Sequence, residues 1–298
     1  MENTVRIPQG TLHYAESGPT RPNPHPVVFV HGLLNDRRHW DKVAHDLSNT
    51  HRCIAPTWPM GSHPEPMAAD AQLDPLGMAK VVADTLRTLD LNHVILVGND
   101  SGGAITQLVA AHHPERLAGV VLTNCDALEV FPPPGFEYLA LVPRVPGLAW
   151  AMSRMLYRYP RLQRMKMAFG DLTHQPIDSA LLQHWLEPAA TQAGVRRDMC
   201  KLIRGVSNRL TLDAARRLAT TRLPVRFAWG ADDRYFTVEL ATRLAAMLPD
   251  AKVTPIDRAK TYVALERPDQ VAAVIRELTT ELATRTSNRQ PANALGSA

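Results

Sequence analysis

Six residues near the middle of the chain have types and spacing suited to chemistry: Gly98-Asn99-Asp100-Ser101-Gly102-Gly103. The apolar run His93–Val97 precedes them and Ala104–Ala111 follows, so the segment reads as strand, tight glycine turn, helix. This is the setting of a nucleophile elbow, where a strained turn lifts one side chain above the carboxyl edge of a sheet. In the G-x-nucleophile-x-G frame that side chain belongs to Asp100, and Ser101 comes one residue late, which turns its hydroxyl sideways. A carboxylate is ionised and nucleophilic at neutral pH without an activating base, but hydrolysis of an ester formed on it needs a base to direct water. Asp100 can also be read as a simple helix N-cap. The glycines at 98, 102 and 103 favour the strained, exposed turn instead.

The elements that must position this turn are legible as short β-branched runs: Val27–Val30, Cys53–Ala55, Val94–Val97, Val120–Thr123, Val225–Trp229 and Val253–Ile256. Such runs read as strands buried on both faces of a parallel sheet. Helical segments separate most of them: Asp36–Leu47, Leu76–Leu89 behind an Asp74-Pro75 cap, Ser101–His113, Val238–Met247 and Pro268–Leu282. The fold class is therefore α/β, a doubly wound, mostly parallel sheet, with Val5–Ser17 as an antiparallel hairpin at its edge. From 127 to 212 no buried strand is apparent, and amphipathic patterns predict a helical cap inserted after the fourth parallel strand. The expected organisation is core 1–126, cap 127–212, core 213–283 and a small, polar tail 284–298 expected to be disordered.

Four landmarks in order carry a resemblance over roughly residues 5–283: His31-Gly32-Leu33-Leu34 with Trp40 downstream, the Asp100 elbow, the strand end Trp229-Gly230-Ala231-Asp232-Asp233, and Ile256–Pro268. Together they resemble the α/β-hydrolase superfamily, and the aspartate elbow resembles epoxide hydrolases, haloalkane dehalogenases and fluoroacetate dehalogenases. The resemblance implies Asp100 as nucleophile, Asp233 as the supporting acid, and the N–H groups of Leu33 and Ser101 as an oxyanion hole. Substrate contacts are expected around Leu34, Trp40, Trp185 and Tyr262, where residues face the cleft between cap and sheet. Two departures matter. Halide-cradling members usually carry Trp after the nucleophile and often Asn after His-Gly, where this chain has Ser101 and Leu33. The position of the family's catalytic histidine holds Thr261, which has no proton equilibrium near neutral pH. His174, His184 and His31 stand as candidate substitutes, although the usual place of His31 in its loop is structural.

Three function readings follow. The first is epoxide-hydrolase-like ester and water chemistry at Asp100 on a small, mainly apolar molecule. The second is a non-hydrolytic isomerase, cyclase or lyase using Asp100 as general acid/base, and the third a ligand-binding pseudoenzyme. No cofactor is expected, since the glycine turn does not follow the dinucleotide pattern, and no metal, since adjacent His112 and His113 are not spaced as paired ligands. The net charge of +4 is thinly spread, and Arg154–Lys166, interleaved with Met, Leu and Tyr, reads as a solvated helix face. Partners are thus expected to be a small-molecule substrate, without nucleic acid or membrane, and a homodimer is left open. No run approaches the length of a membrane span, the N-terminus lacks signal-peptide character, and three well-separated cysteines suit a reducing, cytoplasmic setting.

Overall fold

The computed structural model describes residues 2–19 and 22–287. Its strands are β1 (Glu2–Ile7), β2 (Gly10–Ser17), β3 (Val27–Val30), β4 (Cys53–Pro56), β5 (Val94–Asp100), β6 (Leu117–Cys125), β7 (Val225–Gly230) and β8 (Ala251–Ile256). They form one sheet in the order β1-β2-β4-β3-β5-β6-β7-β8. The hairpin β1–β2 joins the sheet antiparallel to β4, and every other pairing is parallel. The runs read as doubly buried are so for β3, β4, β5, β6 and β7. β8 is the exception: it closes the sheet's edge and most of its residues keep some exposure.

The helices are α1 (Asp41–Leu47), α2 (Pro75–Thr88), α3 (Ser101–His112), α4 (Leu148–Arg158), α5 (Pro160–Gln163), α6 (Ser179–Thr191), α7 (Ala193–Gly205), α8 (Asn208–Leu218), α9 (Val238–Met247), α10 (Val263–Glu266) and α11 (Pro268–Ser287). As the sequence predicts, the Asp74 carboxylate caps α2 by accepting from the Gly77 N–H, with Pro75 in the first turn. α2, α3 and α8 pack together on one face of the sheet and α1 and α11 on the other, each closing an apolar core. α4 to α7 lie between β6 and β7 in the chain and cover the carboxyl edge of the sheet.

Two expected boundaries shift. Residue 212 falls inside α8, which packs along α3, so the whole of that helix sits with the sheet. The expected tail begins inside α11, whose helix runs to Ser287, and the rest of that expectation lies outside the described residues. The strand order explains where a site must form. After β3 the chain crosses to β4 on one side, whereas β5 pairs on the other side of β3. Loops leaving β3 and β5 therefore diverge and open a crevice at their carboxyl ends.

Candidate active site

Asp100 stands at that crevice. Its backbone is at φ 54°, ψ −136°, a strained conformation for a residue with a side chain, and it makes no side-chain capping bond to α3. The N-cap reading is thereby set aside. Neighbouring glycines make the turn sterically feasible. A Cβ on Gly32 would lie 2.1 Å from Asp100 Oδ2, and one on Gly102 would lie 2.2 Å from the His31 carbonyl oxygen.

The two N–H groups expected to form an oxyanion hole both face Asp100. The Ser101 and Leu33 N–H groups lie against the Asp100 carboxyl and favour its ionised form. The Leu33 N–H also donates to Ser101 Oγ at 2.9 Å, so the Ser101 hydroxyl is held sideways as its register requires. Burial is the larger influence on Asp100. It raises the carboxyl from 3.8 to about 7, the Asp233 charge adds to the rise, and the two N–H groups only partly offset it.

Asp233 lies beyond β7 and is nearly buried. Its Oδ1 accepts from the N–H groups of Tyr235 (2.8 Å) and Phe236 (3.2 Å), and its Oδ2 accepts from Asn124 Nδ2 at 3.0 Å. Burial raises its carboxyl to about 6 against the lowering effect of these donors and of the nearby Thr261 hydroxyl. Thr261 is fully buried, and its Oγ1 makes no well-formed hydrogen bond. The Asn99 amide fixes the Thr261 turn by donating to the Thr261 carbonyl at 2.7 Å, to Thr123 Oγ1 and to the Asn124 carbonyl.

The candidate substitute imidazoles are all committed elsewhere. His31 Nδ1 bonds the Gly32 carbonyl and its Nε2 accepts from the Trp58 N–H at 2.8 Å. That arrangement fixes a neutral ring, and burial lowers its pKa to about 4. His174 bridges Glu266 and Asp232, each at 3.0 Å. His184 pairs with Asp36 at 3.2 Å.

Above Asp100 is a cavity of about 350 Å³, within the usual size of small-molecule sites. Leu33, Leu34, Ser101 and Tyr262 line it. Trp40 and Trp185 do not. Trp40 stacks on Phe29 with ring centroids 5.0 Å apart, inside the core. Trp185 is fully buried and donates through Nε1 to Asp36 Oδ1 at 2.9 Å, which anchors α6 to the loop after β3. Both tryptophans are large enough to line a pocket, but their faces are taken up by packing. Most of the remaining wall is apolar, including Met152, Met165, Met199 and Phe169.

Sequence reasoning missed Asp126. This residue follows β6, which pairs with β5 so that Cys125 lies opposite Asp100. Asp126 lines the cavity together with Asp100, is 2% exposed, and its Oδ1 has no hydrogen-bond partner. Burial, with the Asp100 charge second, raises its carboxyl well above the ordinary range. Its backbone is held by Gln107 Nε2, which donates to the Asp126 carbonyl at 2.7 Å. The available signal was its position just past the carboxyl end of a central strand, where ligands bind in open α/β sheets.

The sequence profile of the alpha/beta hydrolase family matches residues 27–274. The chain belongs to this family. Among relatives of this α/β-hydrolase, haloalkane dehalogenase 2 of Mycobacterium tuberculosis is 29% identical over 282 residues, covering 90% of this chain and 91% of the relative. A cis-3-alkyl-4-alkyloxetan-2-one decarboxylase of Shewanella oneidensis is 22% identical, covering 95% and 90%. The crystal structure of a haloalkane dehalogenase from Bradyrhizobium elkani superposes with a TM-score of 0.78 over 96% of this chain and 99% of that one, at 16% identity. The α/β-hydrolase fold expected from the four landmarks is thus the fold observed. These relatives carry enzyme names, which places this chain among enzyme relatives.

Proposed function

We propose that this α/β-hydrolase moves protons on an apolar carbonyl compound without net hydrolysis, with Asp100 as the base and Asp126 as the acid. The supporting observation is that one apolar cavity is lined by two carboxyls, Asp126 buried and Asp100 partly buried, and by no histidine among the described residues. Pairs of titratable groups whose surroundings push their pKa values apart divide into a base and an acid. Here burial pushes the Asp126 carboxyl up, toward the role of acid, while Asp100, raised to about 7, suits a general base at neutral pH.

The Asp100 carboxylate takes a proton from carbon next to the substrate carbonyl. The C–H electron pair becomes the C=C bond, and the carbonyl π pair takes the Asp126 proton, giving an enol. Reversal at the same or a conjugated carbon returns each proton and yields exchange or isomerisation, with no co-reactant consumed.

The experiment is incubation with 2-decanone in D2O at neutral pH, followed by mass spectrometry. Wild-type protein is expected to speed deuterium entry next to the carbonyl. Asp100→Asn and Asp126→Asn are each expected to slow it by about 100-fold or more. Exchange no faster than in buffer, or unaffected by either substitution, overturns the reading.

A second reading is favoured by the elbow position of Asp100 and by the dehalogenase-named relative: attack by the carboxylate on an epoxide or alkyl halide. Its signature is a stable ester on Asp100 in the intact mass after treatment with 1,2-epoxyoctane, because no imidazole stands ready to cleave it.

A further inference from the structure

We infer that the outer face of the insert over the cavity docks on an anionic lipid surface, from which apolar substrate enters. Among the described residues, nine large apolar side chains are exposed, and seven of them fall within 141–167: Leu141, Val145, Trp150, Met155, Tyr159, Met165 and Met167. They are about half exposed each, which is unusual for adjacent side chains of this size on one face of a protein in water. α4 shows how the face is built. Ala149, Met152, Ser153 and Leu156 turn inward, while Trp150, Arg154, Met155 and Arg158 share the outward side.

Charge along this segment is one-signed. From 138 to 170 the sequence holds Arg144, Arg154, Arg158, Arg161, Arg164 and Lys166 and no Asp or Glu. All six are exposed, and none of them forms a salt bridge among the described residues. A solvated helix face, the reading that the sequence of Arg154–Lys166 suggests, mixes its cations with acids and keeps large apolar groups inside. Apolar groups interspersed with cations that form no salt bridge are what a surface of anionic headgroups over acyl chains accommodates, with Trp and Tyr at the boundary.

Two further observations fix the occupant. Met155, Met165 and Met167 are exposed and also line the cavity, so the apolar face surrounds the mouth of the apolar chamber. A second copy of the chain does not fit, because a two-fold pairing would set six cations against six. No described helix is long and apolar enough to cross a membrane, so the mode is lying on the surface rather than spanning it.

The inference stands apart from the chemistry at Asp100 and is tested without turnover. The full chain is sedimented with vesicles of phosphatidylcholine alone or with 30% phosphatidylglycerol, at low and high salt. Wild type is expected to pellet with the anionic vesicles, less at high salt, and far less with the neutral ones. The triple variant Arg158→Glu, Arg161→Glu, Arg164→Glu is expected to lose about tenfold or more in partitioning, and Trp150→Ser several-fold, both with unchanged circular dichroism. Failure to pellet with anionic vesicles at low salt overturns the inference, as does wild-type partitioning by the triple variant. Unchanged vesicle binding by Trp150→Ser, together with equally tight binding of wild type to soluble polyglutamate, also overturns it and points to an acidic protein partner.

Discussion

Asp100 carries a cost in the folded state that can be read by pH. Its carboxyl titrates at about 7 in the fold and near 3.8 when released. Between those values the folded state binds more protons than the unfolded one, so Asp100 lowers stability progressively as pH rises from about 4 to about 7. Thermal melts of Asp100→Asn against wild type are expected to show a gain at pH 8 on the order of a few kcal/mol, shrinking toward zero near pH 4. A gain that is constant with pH would mean that the carboxyl is not held in this way. Thr261 gives a second residue-scale prediction. Thr261→His places an imidazole against Asp233 in the wall beneath the cavity, where it can direct water. Gas chromatography is expected to find diol from 1,2-epoxyoctane with this variant and none above background with wild type. The strained turn at Asp100 was legible because the flanking glycines fix its register. Asp126 was not, since a single Asp after a strand is what an ordinary turn also shows.

The strand–turn–helix unit from β5 to α3 depends on close approach. A Cβ at Gly102 would meet the His31 and Val30 carbonyl oxygens at 2.2 and 2.5 Å, and neither is a flexible side-chain end that can move aside. Gly102→Ala is expected to cost about 3 kcal/mol or more, seen as a lower urea midpoint or as insoluble protein. The loop after β3 and the start of α3 are thus set by backbone contact, and the glycine spacing announced this in the sequence. The elements over the cavity were legible as helices from their 3.6-residue pattern, but not in their placement. Trp185 shows why: aromatic type predicts burial, whereas the choice between cavity wall and anchor depends on where Asp36 sits. Trp185→Phe removes that indole donor and leaves a buried carboxylate oxygen with one bond fewer. It is expected to loosen α6, measurable as faster limited proteolysis between 141 and 192 and a loss of about 1–2 kcal/mol.

At the scale of the whole molecule, the sheet order and the insert divide the labour. Parallel strands and their flanking helices supply the rigid edge that strains Asp100 and brings β6 beside it, and α4 to α7 supply the apolar chamber. The alternation of strands and helices made the first legible. The outward face of the insert was hidden, because Arg and apolar residues alternate in the same way on a helix that packs all its apolar groups inside. Only tertiary packing reveals which ones remain uncovered. That uneven covering also sorts the indoles. Of the five tryptophans, Trp40, Trp58, Trp185 and Trp229 are fully enclosed and Trp150 is 55% exposed. Light absorbed by the chain is therefore re-emitted by two populations, four shielded rings and one ring in water. Iodide quenching reaches only the second, so the protein's own emission reports events on its outer face separately from events in its core.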